Sequence, residues 1–373
     1  MPDKTSARKP RILLLSAYDA DSHRRWREQL VDSQPNFDWQ TLTLPARFFR
    51  WRIRGNALTW FDEPLMQQRW DLLLVTSMVD LVSIRGLHPH LAATPAVLYM
   101  HENQFAYPES QGQHASVDPQ MVNLFSALAA DVVLFNSDWN RRSFLEGVAR
   151  LYRKLPDGVP IETLDQLADK AQVLPVPIED RLFVDRTEPL NRTCPHLLWN
   201  HRWEYDKGPD RLLLLLDELE KRGQDFRLSV VGQTFRQQPE AFDAIHQRHG
   251  HRLEQWGFLP KRSDYDQLLH QADVVISTAL HDFQGLSRLE AMASGCLALA
   301  PDRLAYPEYV PSSQLYPSVA DDAQAEARGA ADRLTAMLNP SVAPLQPLEW
   351  GMGRLAAAYE NILITTLEKH RVC

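Results

Sequence analysis

The stretch "DVVISTALHDFQGLSRLEAMASGCLALA", Asp273 to Ala300, decides the fold. It opens on a short apolar run of strand length, crosses a polar turn, enters an apolar-periodic helix and ends on a second apolar run. Short, continuously apolar strands joined through helices predict a parallel sheet covered on both faces. The turn carries Asp282 and Gly285, and Glu290 stands eight positions after Asp282. A glycine lets the backbone approach a ligand closely, because it has no Cβ. The helix after it starts with free N–H groups and about half a positive charge, which suits a phosphate. Leu286, Leu289 and Met292 share one helix face and should bury, while Glu290 projects from another side, toward ribose hydroxyls. Asp282 would lie near a sugar attached to the second phosphate. A helix with one acid on its surface and one on its dipole is the plainer reading of the same residues.

The same alternation extends in both directions. Upstream in the second half, "HLLWN" and "FRLSVVG" read as strands, and "PDRLLLLLDELEKRG" and "SDYDQLLHQA" as helices. In the first half "RILLLSAY", "WDLLLVTSM", "PAVLYMHEN" and "ADVVLFNSD" read as buried strands, with helical patterns in "SHRRWREQLVD", "DPQMVNLFSALAA" and "DWNRRSFLEGVAR". The proline- and charge-rich segment 179–195 has no clear period and reads as a linker. The expectation is therefore two Rossmann-like α/β domains, 1–178 and 196–345, followed by a C-terminal helix over 346–373. Open parallel sheets bind ligands at the carboxyl ends of their strands, so the loops there should carry the chemistry.

Composition narrows the class. The 373 residues exceed one ordinary α/β core. Hydrophobic residues make up 44% and charged residues 24%, as in globular proteins. No apolar run reaches the ~18 residues of a membrane span. The polar, basic start "MPDKTSARKP" reads as a frayed tail and not as a signal peptide. Cys194, Cys296 and Cys373 are too far apart for a disulfide framework or zinc site, which fits a reducing cytoplasm. The net charge of -8 means that a nucleic-acid ligand would need a local basic patch. Nothing in the sequence points to a protein partner.

Two more loops bear on the second half. In "HRWEYDKGPD", Arg202 offers a planar fork and Lys207 a point charge, both suited to phosphate oxygens. A solvated basic loop is the alternative. In "WGFLPKRSDYDQ", the backbone of Gly257, Phe258 and Leu259 could read a purine edge, with Phe258 as a wall, or form a simple strand-to-helix turn.

Taken together, "R-x4-K-G" at Arg202 to Gly208 and the acids at Asp282 and Glu290 resemble glycosyltransferase family 4. Its members have the GT-B fold, two facing Rossmann-like domains with a cleft between them. The resemblance implies that Arg202 and Lys207 clamp a pyrophosphate and that Asp282 and Glu290 are the ends of the E-x7-E motif. Asp282 stands where the family has a glutamate, one methylene longer. Further stretches, "HENQFAYP", "LPARFFRWRIRGNALTWF", "VVLFNSDWNRRSF", "DVVISTALHDFQG" and "YPEYVP", resemble a smaller group, the tRNA-queuosine mannosyltransferases. That resemblance implies transfer of mannose, with α configuration retained, from GDP-mannose to the cyclopentenediol of queuosine in the anticodon of tRNA-Asp; the arrangement of phosphate-binding groups requires no metal, and the sequence shows no convincing metal-ligand cluster. It makes His101 a group that orients or polarises the donor sugar, and Glu102 and Asn103 beside it groups that bind the acceptor RNA. It also places "SAYDADSH", including Ser22 and His23, near the acceptor, with Ala20-Asp21 where the group has two glycines.

The basic aromatic stretch "RFFRWRIR" then acquires a use. Arg47, Arg50, Arg52 and Arg54 would meet phosphates, and Phe48, Phe49 and Trp51 would stack on unpaired bases. Arg24, Arg25, Arg27, Arg141 and Arg142 would extend the patch. The alternative is a solvated loop with its aromatics in the core. Lys207→Ala is expected to cut turnover sharply with modest loss of stability. Two rival functions stand beside this one: a family 4 transferase with another sugar nucleotide or a lipid or polysaccharide acceptor, and a non-catalytic nucleotide-sugar or RNA-binding protein.

Overall fold

A computed structural model describes residues 8–107 and 116–371. The start of the N-terminal tail, Pro108 of "HENQFAYP" and Cys373 lie outside the described residues. The chain divides into two compact units: residues up to Pro177 together with those from Met352 on, and Ile178–Gly351.

The first unit runs β1 (Arg11–Asp19), α1 (Asp21–Ser33), β2 (Asp38–Pro45), α2 (Phe49–Thr59), β3 (Leu72–Thr76), α3 (Leu81–Leu87), β4 (Ala96–Met100), α4 (Asp118–Ala129), β5 (Val132–Phe135), α5 (Asp138–Tyr152), α6 (Glu162–Lys170) and β6 (Ala171–Val173). Its parallel sheet has the order β2-β1-β3-β4-β5-β6. The apolar runs of β3, β4 and β5 are buried throughout, as strands covered on both faces must be. Side-chain caps begin α3 and α5: Asp80 accepts from the Ser83 amide and Ser137 from the Asn140 amide.

The second unit runs β7 (His196–Trp199), α7 (Pro209–Lys221), β8 (Arg227–Val231), α8 (Ala241–His249), β9 (Leu253–Gly257), α9 (Arg262–Gln271), β10 (Val274–Ile276), α10 (Leu286–Ala293), β11 (Leu297–Pro301), β12 (Leu315–Tyr316) and α11 (Ala323–Met337). Its order, β12-β11-β10-β7-β8-β9, is the doubly wound Rossmann order. Leu212, Leu215, Leu216 and Leu219 form the buried stripe of α7, at the helical spacing read from the sequence.

The segment 179–195 is fastened to the second unit. Arg186 donates to the Ala272 carbonyl and to Asp273, and Arg192 to the carbonyls of Met337, Asn339 and Val342. Its charges are structural ties, so their density does not make it a free linker. The last helix, α12 (Met352–Arg371), packs on the first unit. There the Tyr359 hydroxyl accepts from Trp26 Nε1 at 3.0 Å, and the Ala356 carbonyl accepts from Gln34 at 2.8 Å.

Candidate active site

In the second sheet the strand order reverses between β7 and β10, and an open α/β sheet binds ligands at the carboxyl ends beside such a point. The loops that leave those two strands carry Arg202–Lys207 and Asp282–Gly285. Two glycines allow close packing here, Gly208 between those loops and Gly232, past β8, against the first of them. Gly208 has φ +65°, and a Cβ there would fall 2.2 Å from the Thr278 carbonyl oxygen. Gly232, with φ +153°, leaves room for the His201 carbonyl, which a Cβ would approach to 1.7 Å.

Lys207 is buried. Its Nζ donates to the His281 carbonyl at 2.7 Å and lies 3.2 Å from Asp206 Oδ2. Burial opposes the Asp206 charge, but His281, Lys207 and Arg202 outweigh it and hold the carboxyl at about 2. Asp206 therefore stays ionised and fixes the ammonium. Arg202 is half exposed and bridges to Glu204 at 2.8 Å. A further cation, which the sequence reading missed, sits beneath. Arg288 is fully buried and donates to neutral groups: the Ile276 carbonyl and His201 Nε2, each at 2.6 Å, the Asn200 side chain, and Ser287 Oγ at 3.0 Å. Burial, then Arg288, Lys207 and Arg202, push His201 well below its ordinary value. A neutral His201 can thus accept from Arg288. Three cations gather at the switch point, two of them held by the carboxylates of Asp206 and Glu204, and preorganised charge of this kind can stabilise a developing anion at low reorganisation cost.

Gly285 is the N-cap of α10, with φ +79°. A Cβ there would meet the Tyr309 hydroxyl at 2.3 Å, so the close approach it permits is first of all to the protein's own tyrosine. Asp282 Oδ1 accepts from the Gly285 amide at 3.1 Å, and Oδ2 from the Tyr306 hydroxyl at 3.1 Å. Asp282 thus shapes the turn that presents the helix start. Leu286 is half-buried behind it. Glu290 is buried, and both its oxygens accept bonds from α9: from Arg262 at 2.9 Å and from the Tyr265 hydroxyl at 3.2 Å. Gly257 ends β9 at φ +93°, with Phe258 60% exposed beyond it and Leu259 half-buried.

In the first sheet the order reverses between β1 and β3. Side chains from the ends of β1, β3 and β4 converge there. His101 is buried, and Nε2 has no hydrogen-bond partner among the described residues. Burial and the neighbouring His23 hold its ring well below its ordinary value. His23 is buried as well, stacked on His101 with ring centroids 4.0 Å apart, and its Nε2 lies 3.2 Å from Glu102. Asn103 is wholly buried; it bonds Asn140 and Ser143 and accepts from the amides of Phe105 and Ala106. It shapes the loop and presents no surface to an RNA. Ser22 is half-exposed on α1.

"RFFRWRIR" is largely helix, α2, and its residues separate by face. Phe48, 68% exposed, and Trp51, 51% exposed, point outward beside the exposed Arg47 and Arg50. Phe49 packs edge-on against Tyr18. Arg52 is buried, and Arg54 bridges to Asp80 at 2.9 Å. The Trp51 ring lies against Gly55, where a Cβ would approach it to 2.5 Å. Other candidate patch residues have local counter-ions: Arg24 and Arg25 pair with Asp21, Arg27 with Asp19, and Arg141 and Arg142 with Asp138.

Among the described residues, no three or more His, Cys, Asp or Glu side chains are grouped so as to hold a metal ion, and no helix is long and apolar enough to cross a membrane.

Solved structures share this architecture over nearly the whole chain. Sucrose-phosphate synthase from Thermosynechococcus elongatus matches with a TM-score of 0.69 at 14% identity, covering 96% of this chain and 100% of that one. Anabaena HepE in complex with UDP-glucose matches with a TM-score of 0.63 at 16% identity, covering 95% and 100%. Residues 183–330 match the family described as glycosyl transferases group 1. The sheets, the cation-rich switch point and these matches define a glycosyltransferase of the GT-B fold. Residues 11–178 match the family described as tRNA-queuosine alpha-mannosyltransferase N-terminal. A Drosophila melanogaster protein named tRNA-queuosine alpha-mannosyltransferase is 35% identical over 319 residues, 83% of this chain and 84% of that protein. The chain belongs to the tRNA-queuosine alpha-mannosyltransferase family.

Proposed function

We propose that this enzyme transfers mannose from GDP-mannose to a cyclopentenediol hydroxyl of queuosine in the anticodon of tRNA-Asp, with retention of the α configuration. The observation that carries this reading is the gathering of Arg202, Lys207, Arg288 and the start of α10 at the switch point of the second sheet. Sugar and acceptor follow the name of the Drosophila relative; the guanine base and the tRNA identity follow the resemblance noted in the sequence.

In this mechanism the bond between the anomeric carbon and the β-phosphate oxygen breaks ahead of attack. Arg202, Lys207 and the α10 amides take up the charge that develops on GDP, and Asp206 holds Lys207 in place for it. The queuosine oxygen bonds to the anomeric carbon on the face the phosphate leaves. Its proton passes to a phosphate oxygen, so no protein base is required, and neither is a metal. His101 offers Nε2 to a substrate hydroxyl. The outward face of α2, with Arg47, Arg50, Phe48 and Trp51, binds the RNA: arginines meet phosphates and the aromatic faces receive bases, each stack contributing about 1–3 kcal/mol.

The test is to incubate the protein with queuosine-containing tRNA-Asp and tRNA-Tyr and with a panel of nucleotide sugars, then digest and analyse the nucleosides by mass spectrometry. Hexosylated queuosine from GDP-mannose on tRNA-Asp is expected. Transfer from a UDP-sugar only would overturn the donor, and transfer to neither tRNA the function.

A further inference from the structure

The histidine pair of the first unit is more than a lining of the acceptor loop. Three loops of the first sheet build it. His23 lies two residues into α1, its Nδ1 donating to the Tyr18 carbonyl at 2.9 Å and its Nε2 directed at Glu102 Oε2 at 3.2 Å. Glu102 follows β4, and its Oε1 accepts from Ser77 Oγ, past the end of β3, at 2.7 Å. Both His23 nitrogens thus face oxygen acceptors, a setting that an imidazolium satisfies with both N–H groups and a neutral ring with only one. The His23 ring lies nearly parallel to that of His101, at an interplanar angle of 16°. Two stacked imidazoles at this distance do not both carry a charge, because like charges so close disfavour each other. The Trp26 ring stands edge-on to His101 and Tyr99 is tilted against it, so His101 has apolar walls on its other sides.

We propose that His23 is a positioning residue: clamped by Glu102 and the Tyr18 carbonyl, it carries the one proton of the stacked pair and so keeps His101 a neutral ring, whose buried Nε2, unpartnered among the described residues, is left for a substrate hydroxyl. This rests on the role given to His101 under the proposed function. Burial opposes charge on His23, but Glu102, the Tyr18 carbonyl and Asp19 outweigh it and raise the ring above its ordinary value. Asp19 is bridged to Arg27 at 3.0 Å. Burial pushes Tyr99 and, from α12, Tyr359 well above the ordinary tyrosine value, so both stay neutral.

The experiment uses the full-length protein with ¹⁵N-labelled histidine rings, titrated by long-range heteronuclear NMR, as the parent and as Glu102→Gln and His23→Gln. In the parent, His23 should be cationic at neutral pH and His101 neutral. In Glu102→Gln, His23 should be neutral at pH 7 and the His101 midpoint should rise by about one pH unit, as the neighbouring charge is lost. His23→Gln should give the same rise and serves if the first variant does not fold. In pH–rate profiles the acid limb of kcat should move upward with the His101 midpoint, with KM for the donor unchanged. A purely structural role would lower kcat equally at every pH. A neutral His23 in the parent at pH 7, or a His101 midpoint that neither variant moves, overturns the proposal. The NMR readout needs no turnover, so failure of the transferase reading is separately visible.

Discussion

Lys207 is the residue where structure changes the expected consequence of mutation most. Its ammonium is buried against an ionised Asp206, so removing it strands a buried carboxylate. His281, Lys207 and Arg202 together hold Asp206 ionised against burial. Holding that carboxyl at about 2 instead of 3.8 corresponds to about 2.5 kcal/mol of stability at neutral pH. Stranding a buried charge costs about 3–5 kcal/mol. Here His281, with Nδ1 3.9 Å from Asp206, and Arg202 retain part of the compensation. Lys207→Met should therefore destabilise the second unit by about 2–3 kcal/mol, more than the modest loss the sequence suggested. Asp206→Asn in the same chain should restore most of that loss, since it removes the stranded charge. A lost charge-assisted contact to the diphosphate, worth about 1.5–3 kcal/mol, should also cut kcat/KM about 10- to 150-fold in both variants. Urea unfolding of parent, both single variants and the double variant, with donor kinetics on each, completes the cycle. If Lys207→Met unfolds like the parent, or if the two losses of stability simply add, the reasoning about the buried pair is refuted.

Gly55→Ala should displace the Trp51 ring from α2 and weaken tRNA binding several-fold with the fold intact, and Arg47→Ala with Arg50→Ala should flatten its salt dependence; filter binding at several salt concentrations checks both. Gly232→Ala, whose Cβ meets the His201 carbonyl, should cost about 3 kcal/mol or more in urea unfolding. His196, His201 and His281 are all held below their ordinary value, chiefly by burial. Their stability contribution is full above pH 6.5 and lost as pH falls through their folded values; Asp206 adds a loss between 3.8 and about 2. Calorimetry should accordingly show the second unit melting at lower temperature as pH drops from 7 to 5. Burial pushes the Cys296 thiol up to about 12, so iodoacetamide at neutral pH should leave it unmodified until the protein is unfolded.

The buried strands were legible because continuous apolar runs have few other uses, and the helices with a clear stripe, such as α7, came with them. Edge strands and helices without a large-residue stripe were not. β2 alternates weakly, with little of it buried, and α11 is alanine-rich with no strong stripe. The basic aromatic stretch hid a helix because each of its faces mixes a ring with an arginine, Trp51 with Arg50 outward and Phe49 with Arg52 inward, so no apolar stripe marks it. In the second unit, spacing drew attention to Arg202, Lys207, Asp282 and Glu290, which the fold places in the loops after β7 and β10 and on α10. It did not show that Asp282 shapes the turn or that Glu290 bonds Arg262 and Tyr265. Arg288 was hidden for another reason. Nothing in a helix period says that an arginine will be wholly buried, and only the carbonyls that receive it make that tenable. The pairing of His23 with Glu102 was not legible, because the two lie 79 positions apart in the chain.

The central claim is that the cations at the switch point of the second sheet hold the donor's diphosphate. Determining the structure of the protein soaked with GDP tests it most directly. The account predicts both phosphates within hydrogen-bond distance of Arg202, Lys207 and the amides that open α10. Phosphates bound elsewhere on the chain, with those groups untouched, would contradict it.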